Sequence, residues 1–207
     1  MALVKKEKKV KENHVEVLVT HLKQTIVLNE QEIQRISEVV EIVSLKRKEL
    51  LLQPGQLSQH MRFIAQGSAR CYYLDEHSQE HTLQIGVEEW WINDLYSFLT
   101  QKESKLFIQA IEPAVIVQIS RENLELLYTE IPAISTFFRL KIQSAYVALQ
   151  ERTIENMSTE VYARYQRFIK DYRNIEQRVP QYMIASYLGV TPEFLSYLKK
   201  KNIESLS

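Results

Sequence analysis

The side chains of this 207-residue chain whose types and spacing could do chemistry gather near its C-terminal end. The run from Pro180 to Lys201 reads as two short helices. The first stops at Gly189, and Thr191 caps a second helix that has Pro192 at its first position. Ala185, Gly189 and Leu195 follow the A-x3-G-x5-L spacing that a helix-turn-helix requires. The alanine lets the helices cross closely, the glycine takes a left-handed turn and the leucine buries the second helix. Tyr182, Ile184, Leu188 and Leu198 complete the predicted core. The second helix then turns a polar N-terminal face outward, with Lys199, Lys200 and Lys201 at its far end. The chemistry this suits is recognition of double-stranded DNA; a helical bundle with no nucleic-acid role is the bland alternative.

Other chemistries find little support. One cysteine, Cys71, excludes a disulfide within the chain and any four-cysteine zinc or iron–sulfur site built by one chain. His14, His21, His60, His77 and His81 show no metal-ligand pairing at helical spacing, so no metal and no cofactor is expected. Four glycines leave no Walker A loop and no dinucleotide fingerprint. Glu88, Glu89 and Asp94 lack a nucleophile and oxyanion donors at defined spacing, so the chain does not read as an enzyme.

The elements that must position these residues fall into three regions. From Val15 to about Val43 apolar residues recur at helical spacing, and Asn29-Glu30-Gln31-Glu32 is an N-cap with first-turn acids, so a second helix begins near residue 30. Between about residues 44 and 120, short β-branched and aromatic runs separated by polar turns predict an antiparallel β-roll of jelly-roll type. From Arg121 the period is helical again. Pro132 starts a long helix in which Phe138, Ile142, Ala145, Leu149 and Arg152 are spaced 4, 3, 4, 3. That is a heptad seam, fit for homodimerisation or for packing on the roll itself. Residues 156–158 form a hinge or cap before a helix over roughly 158–172.

Composition fits this plan. With 26 basic and 26 acidic residues the net charge is zero, yet residues 1–12 carry +3, residues 88–130 carry −5 and residues 164–207 carry +4. A basic C-terminal quarter suits a polyanion partner. No stretch is long and apolar enough to span a membrane, and the N-terminus lacks a secretory signal, so the cytoplasm is the expected compartment.

This order of parts resembles the Crp/Fnr family of bacterial transcription regulators. The resemblance covers nearly the whole chain and is clearest at Gly67 to Asp75, at Trp91 to Leu99 and in the helix-turn-helix. The Trp90-Trp91 variant and Glu193-Phe194-Leu195-Ser196 look like Crp-like proteins of the Bacteroidetes. The resemblance implies an α+β chain. Residues 1–130 would form a cyclic-nucleotide-binding-like effector domain, 131–156 a dimerisation helix and hinge, and 157–207 a DNA-binding domain. It implies a homodimer with Phe138, Ile142, Ala145 and Leu149 in its seam, double-stranded DNA and RNA polymerase as partners, and a small-molecule effector of unknown identity.

Departures from the family pattern limit what carries over. Asn93-Asp94-Leu95 stands where cyclic-nucleotide binders have a Gly-Glu-Leu turn, and Ser104-Lys105 stands where an Arg-Ser pair takes the phosphate. Lys105 lacks the bidentate fork of arginine. Leu149 and Gln150 lie where the long helix often offers hydroxyls to the base. A vestigial or altered pocket is therefore expected, which Trp90, Trp91 and Tyr96 could line. In the recognition helix Glu193 is kept, but Pro192 and Tyr197 replace two base-reading arginines. Glu193 can accept from cytosine N4, while Gln181, Thr191, Ser196, Lys199, Lys200 and Lys201 are the candidate phosphate contacts. A protein-interaction or ligand-binding module whose degenerate helix-turn-helix no longer reads DNA is the alternative.

Overall fold

The computed structural model describes residues 2–172 and 175–206; for residues 2–12, 171 and 203–206 it describes the backbone alone. The side chains of the N-terminal lysines and Arg173, counted in the charge argument, lie outside the described residues. In chain order the elements are α1 (Ala2–Lys23), α2 (Glu30–Val39), β1 (Val40–Leu45), β2 (Leu50–Leu52), β3 (His60–Gln66), β4 (Ala69–Leu74) and β5 (Glu80–Gly86). Then come α3 (Leu95–Thr100), β6 (Leu106–Ala110), β7 (Ala114–Ser120), α4 (Arg121–Glu130), α5 (Pro132–Ser158), α6 (Val161–Asp171), α7 (Ile175–Arg178), α8 (Gln181–Leu188) and α9 (Pro192–Leu206). This is the expected combination of N-terminal helices, antiparallel β-roll, long helix and C-terminal helices.

Local chemistry accounts for several boundaries. Asn29 caps α2 in a full capping box: its side chain accepts from the Glu32 N–H at 2.9 Å, and Glu32 accepts from the Asn29 N–H at 2.8 Å. Ser120 caps α4 by accepting from the Asn123 N–H. At Gly67, φ is +83° and an added Cβ would run into the Pro113 carbonyl, so the β3–β4 turn needs glycine.

The strands form two sheets, ordered β1-β7-β3 and β2-β6-β4-β5. β7 pairs antiparallel with both neighbours, Val40 opposite Ile119 on one side and His60 opposite Ser120 on the other. Between the sheets Leu45, Leu52, Ile64, Cys71, Ile108 and Ile116 are buried. A second core lies where α1, α2, α4 and the first turns of α5 cover the three-stranded sheet, built from Leu18, Leu22, Ile36, Phe63, Val117, Leu127 and Phe137. Each such side chain contributes about 1.5–3 kcal/mol on full burial.

The chain divides into two compact units, residues 1–71 with 85–142, and residues 72–84 with 143–207. The second joins the outer half of the β4–β5 hairpin to the rest of α5 and the C-terminal helices. Its core comprises Tyr165, Phe168, Ile175, Val179, Met183, Ile184, Leu188, Leu195 and Leu198. No helix among the described residues is long and apolar enough to cross a membrane.

Candidate nucleic-acid interface and effector pocket

The turn between α8 and α9 is built as its sequence requires. Gly189 takes φ +70° and ψ +35° as the C-cap of α8, and the Val190 N–H returns to the Ala185 carbonyl at 3.0 Å. The Thr191 hydroxyl oxygen accepts from the Phe194 N–H at 3.2 Å, capping α9 behind Pro192. Ala185 and Leu195 are 1% and 0% exposed, so the small residue and the leucine sit at the crossing. Ile184, Leu188 and Leu198 are core as predicted; Tyr182 is not, being 44% exposed, and Met183 takes the interior position.

This crossing leaves one face of α9 open. Glu193, Ser196, Tyr197 and Lys200, spaced 3, 1 and 3, share that face and are all exposed. Hydrogen bonds from its own backbone N–H and from the Thr191 hydroxyl hold the Glu193 carboxyl below the ordinary glutamate range. It is therefore an anionic acceptor at neutral pH. The Tyr197 ring packs against Phe194, centroids 5.9 Å apart, which widens the apolar part of the face; Phe194 is 42% exposed. Gln181 and Thr191 are exposed beside it. The lysines differ from one another. Lys199 is ion-paired to Glu176 at 2.9 Å, and the Lys201 ammonium lies 4.4 Å from the centroid of the Tyr162 ring. Lys200 is exposed.

Arg152, which the heptad spacing places in the seam, has a different role. Its guanidinium donates to the carbonyl oxygens of Thr82 (3.2 Å) and Tyr187 (2.8 Å) and to that of Leu83, and lies 3.9 Å from the Tyr187 ring centroid. The Ser186 hydroxyl donates to the Glu80 carbonyl at 2.7 Å and accepts from the Thr82 N–H at 2.8 Å. The helix-turn-helix is thus fastened to the β4–β5 hairpin by carbonyl-directed contacts that leave no mark in a hydropathy pattern.

The seam itself requires a correction. Phe138 is 2% exposed and packs edge-on against Trp91 and Phe137, with centroids at 4.9 and 5.3 Å. It belongs to the core and is not available to a partner, because the first turns of α5 lie against the sheet. Ile142 is half-buried, whereas Ala145 and Leu149 are exposed, Leu149 at 62%. Tyr146, Val147, Ile154 and Met157 extend the exposed apolar surface of α5.

In the first unit, Asp94 and Ser104 come together, but on each other. One Asp94 carboxylate oxygen caps α3 by accepting from the Ser97 N–H at 3.1 Å, and the other accepts from the Ser104 hydroxyl at 2.6 Å. The two residues are 3% and 2% exposed. The Asn93 side chain accepts from the Arg62 N–H at 2.8 Å, and Leu95 is half-buried at the start of α3. Lys105 is exposed and takes no part in this network. Leu149 and Gln150 lie exposed on the part of α5 that belongs to the second unit. Trp91 is partly buried against the core, while Trp90 and Tyr96 are exposed. The Glu88 carboxylate accepts from the Gly67 N–H at 2.9 Å, a structural use of one of the acids considered for catalysis.

The charge near Asp94 comes from Arg62, which no motif in the sequence marks. It donates to the Ser58 hydroxyl at 2.9 Å and the His60 carbonyl at 3.1 Å, and its buried Nε has no hydrogen-bond partner. Burial lowers its pKa to about 10, against the opposing pull of Asp94. The signal was a lone arginine inside the apolar run Met61 to Ala65. Burial, with Asp94 adding to it, pushes the Cys71 thiol up to about 12, so it stays protonated and unreactive. Among the described residues no three His, Cys, Asp or Glu side chains converge as metal ligands.

Comparison with known proteins now bears on this geometry. Residues 42–130 match the family model of the cyclic nucleotide-binding domain. The fold over most of the chain is similar to that of CLP of Xanthomonas campestris, described as a c-di-GMP-responsive global regulator, at 14% identity over 86% of this chain and 93% of that one, with a TM-score of 0.69. It is similar to that of a protein of Eubacterium rectale assigned to the Crp/Fnr family of transcriptional regulators (16% identity, 86% and 85% coverage, TM-score 0.64). It is similar also to that of FixK2 of Bradyrhizobium japonicum (14% identity, 81% and 86% coverage, TM-score 0.66). No curated protein matches the chain significantly. Residues 42–130 are thus similar to cyclic nucleotide-binding domains, and most of the chain has the fold of the Crp/Fnr regulators.

Proposed function

We propose that the chain is a dimeric, DNA-binding transcription regulator of the Crp/Fnr type, of the Bacteroidetes subgroup, acting in the cytoplasm. Its effector part is residues 1–130, its dimerisation helix and hinge 131–156, and its DNA reader 157–207. The observation that carries this reading is the α8–α9 crossing. It buries Ala185 and Leu195 and leaves Glu193, Ser196, Tyr197 and Lys200 on one open face. An acceptor for cytosine N4, an aromatic surface for thymine methyls and a cation for phosphate then share one helix face. Dimerisation through the exposed stretch of α5 would pair two such helices across a twofold axis.

The effector pocket departs from the cAMP pattern. Asp94 and Ser104 satisfy each other, and no arginine stands at the position of the phosphate-binding pair. Selection of bound fragments from a genomic library tests the reading: a palindromic motif is expected. Weak binding with no enriched motif, even at low salt, would favour the interaction module with a retired helix-turn-helix.

A further inference from the structure

Within the second unit a cleft of about 200 Å³ lies between α5 and α6 and is lined also by Tyr187 of α8. Its charges do not balance. The Arg167 guanidinium is paired with the Glu155 carboxylate and lies 3.8 Å from that of Glu151, so both acids lining the cleft are engaged by one arginine. Arg152 and Arg164 line the same cleft, and neither has a carboxylate partner among the described residues. Arg152 is directed at backbone carbonyls, which leaves its charge uncancelled. Arg164 donates to the Asn156 amide oxygen, while its Nε is buried with no hydrogen-bond partner.

Two like charges and an unmet donor cost stability in a half-buried place. Burial lowers the pKa of Arg164, and the charge of Arg152 lowers it further, so the two guanidiniums feel each other. A planar fork with a free N–H is the geometry that takes an oxyanion in two parallel hydrogen bonds. The space is several times the roughly 30 Å³ of one water, enough for a phosphate group with a small substituent.

We propose that this cleft is a binding site for a small phosphate-class oxyanion, seated on the Arg164 guanidinium with Arg152 as the second positive charge. The occupant would tie α5 to α6. The site is distinct from the Asp94–Ser104 network and from the open face of α9, and it does not depend on whether that face reads DNA.

Calorimetric titration of the full chain at constant ionic strength, with inorganic phosphate in one arm and phenyl phosphate in the other, tests the proposal. Saturable binding with a Kd of about 1 mM or tighter is expected, weakened about tenfold or more in Arg164→Gln. Arg164→Lys keeps the charge and loses the fork, and is expected to fall between the two. Lys200→Ala is expected to bind phosphate as the parent does, which separates the cleft from the DNA face. Without phosphate, Arg164→Gln is expected to unfold at the same or a higher temperature, since a repulsion is removed. Tighter binding of phenyl phosphate assigns an organic phosphate monoester as occupant, its ring against Tyr187; equal affinity assigns phosphate itself. No saturable heat up to about 10 mM, or equal affinity in the parent and both Arg164 variants, overturns the proposal.

Discussion

Replacing Leu149 with glutamate tests the proposed dimer at a seam residue that α5 leaves exposed. Leu149 is 62% exposed, and Tyr146 and Met157, on the same side of α5, are 67% and 83% exposed. Full burial of a leucine side chain is worth about 1.5–3 kcal/mol, so roughly 1–2 kcal/mol is still available here. A twofold interface counts that side chain twice, giving about 3 kcal/mol, or more than a hundredfold in Kd. Glutamate forfeits that and sets two like charges near the axis. The expected result is a shift from dimer to monomer at micromolar concentration in sedimentation equilibrium, with helical content unchanged. Phe138→Ala serves as the contrast. Its ring lies inside the core, so it is expected to cost about 3–5 kcal/mol of folding stability and to act on association only through that loss. A parent protein that sediments as a monomer at these concentrations, or a Leu149→Glu dimer as tight as the parent, refutes the reasoning.

Two further expectations concern the first unit. Cyclic AMP is expected to give no saturable calorimetric signal at submillimolar concentration, because both Asp94 oxygens are occupied and Lys105 points no charge into the network; a low-micromolar complex lost in Lys105→Ala would contradict this. The His21 ring packs on Phe63 and Phe137, with centroids at 5.1 and 5.8 Å, and burial, followed by the Lys141 charge, lowers its pKa, with Glu89 at 3.9 Å opposing. A folded-state pKa below the unfolded value of about 6.5 means stability that is complete above that pH and lost as pH falls through the folded pKa. His21→Phe is expected to flatten this part of the acid slope in denaturant titrations. His60, lowered by its own burial and by Arg62, keeps a remainder. An unchanged slope in the variant would show that His21 is not its source.

Much of this molecule is legible in its sequence wherever the determinant is local. Asn29 with Glu32, Gly189, Thr191 and Pro192 are each dictated by cap or turn chemistry that acts within a few residues, and all stand as read. The roll was legible because turn residues interrupt β-branched runs at regular intervals. What was illegible depends on what meets a residue from afar. The spacing of Phe138, Ile142, Ala145 and Leu149 is one stripe on paper, yet α5 passes from the core to exposure along that stripe, so its first member turns inward. Arg152 fits the same spacing, but its partners are carbonyl oxygens of residues 82, 83 and 187. Asp94 and Ser104 lie ten residues apart, and neither residue type nor order reveals that they hydrogen-bond to each other.

The same distinction governs how DNA should be read. Counting residues assigns three lysines to phosphate contact. The structure engages Lys199 with Glu176 and sets Lys201 over Tyr162, so the phosphate attraction of α9 falls on Lys200 unless those contacts break. Breaking them has a cost that DNA must meet, which lowers their net contribution. Each phosphate neutralised adds about 0.9 to the slope of log K against log salt. Lys200→Ala is therefore expected to reduce that slope by about 1 per protomer and to weaken every sequence alike. Lys201→Ala is expected to change it by clearly less. Glu193→Ala should leave the slope in place and instead relax preference at one base pair per half-site, at a cost of about 1–3 kcal/mol there. Salt titrations on a selected operator and on a scrambled one separate the three variants. If Lys200→Ala and Lys201→Ala reduced the slope equally, the cation–π contact would not restrain Lys201, and the three lysines would act as the undifferentiated basic patch that the sequence alone suggests.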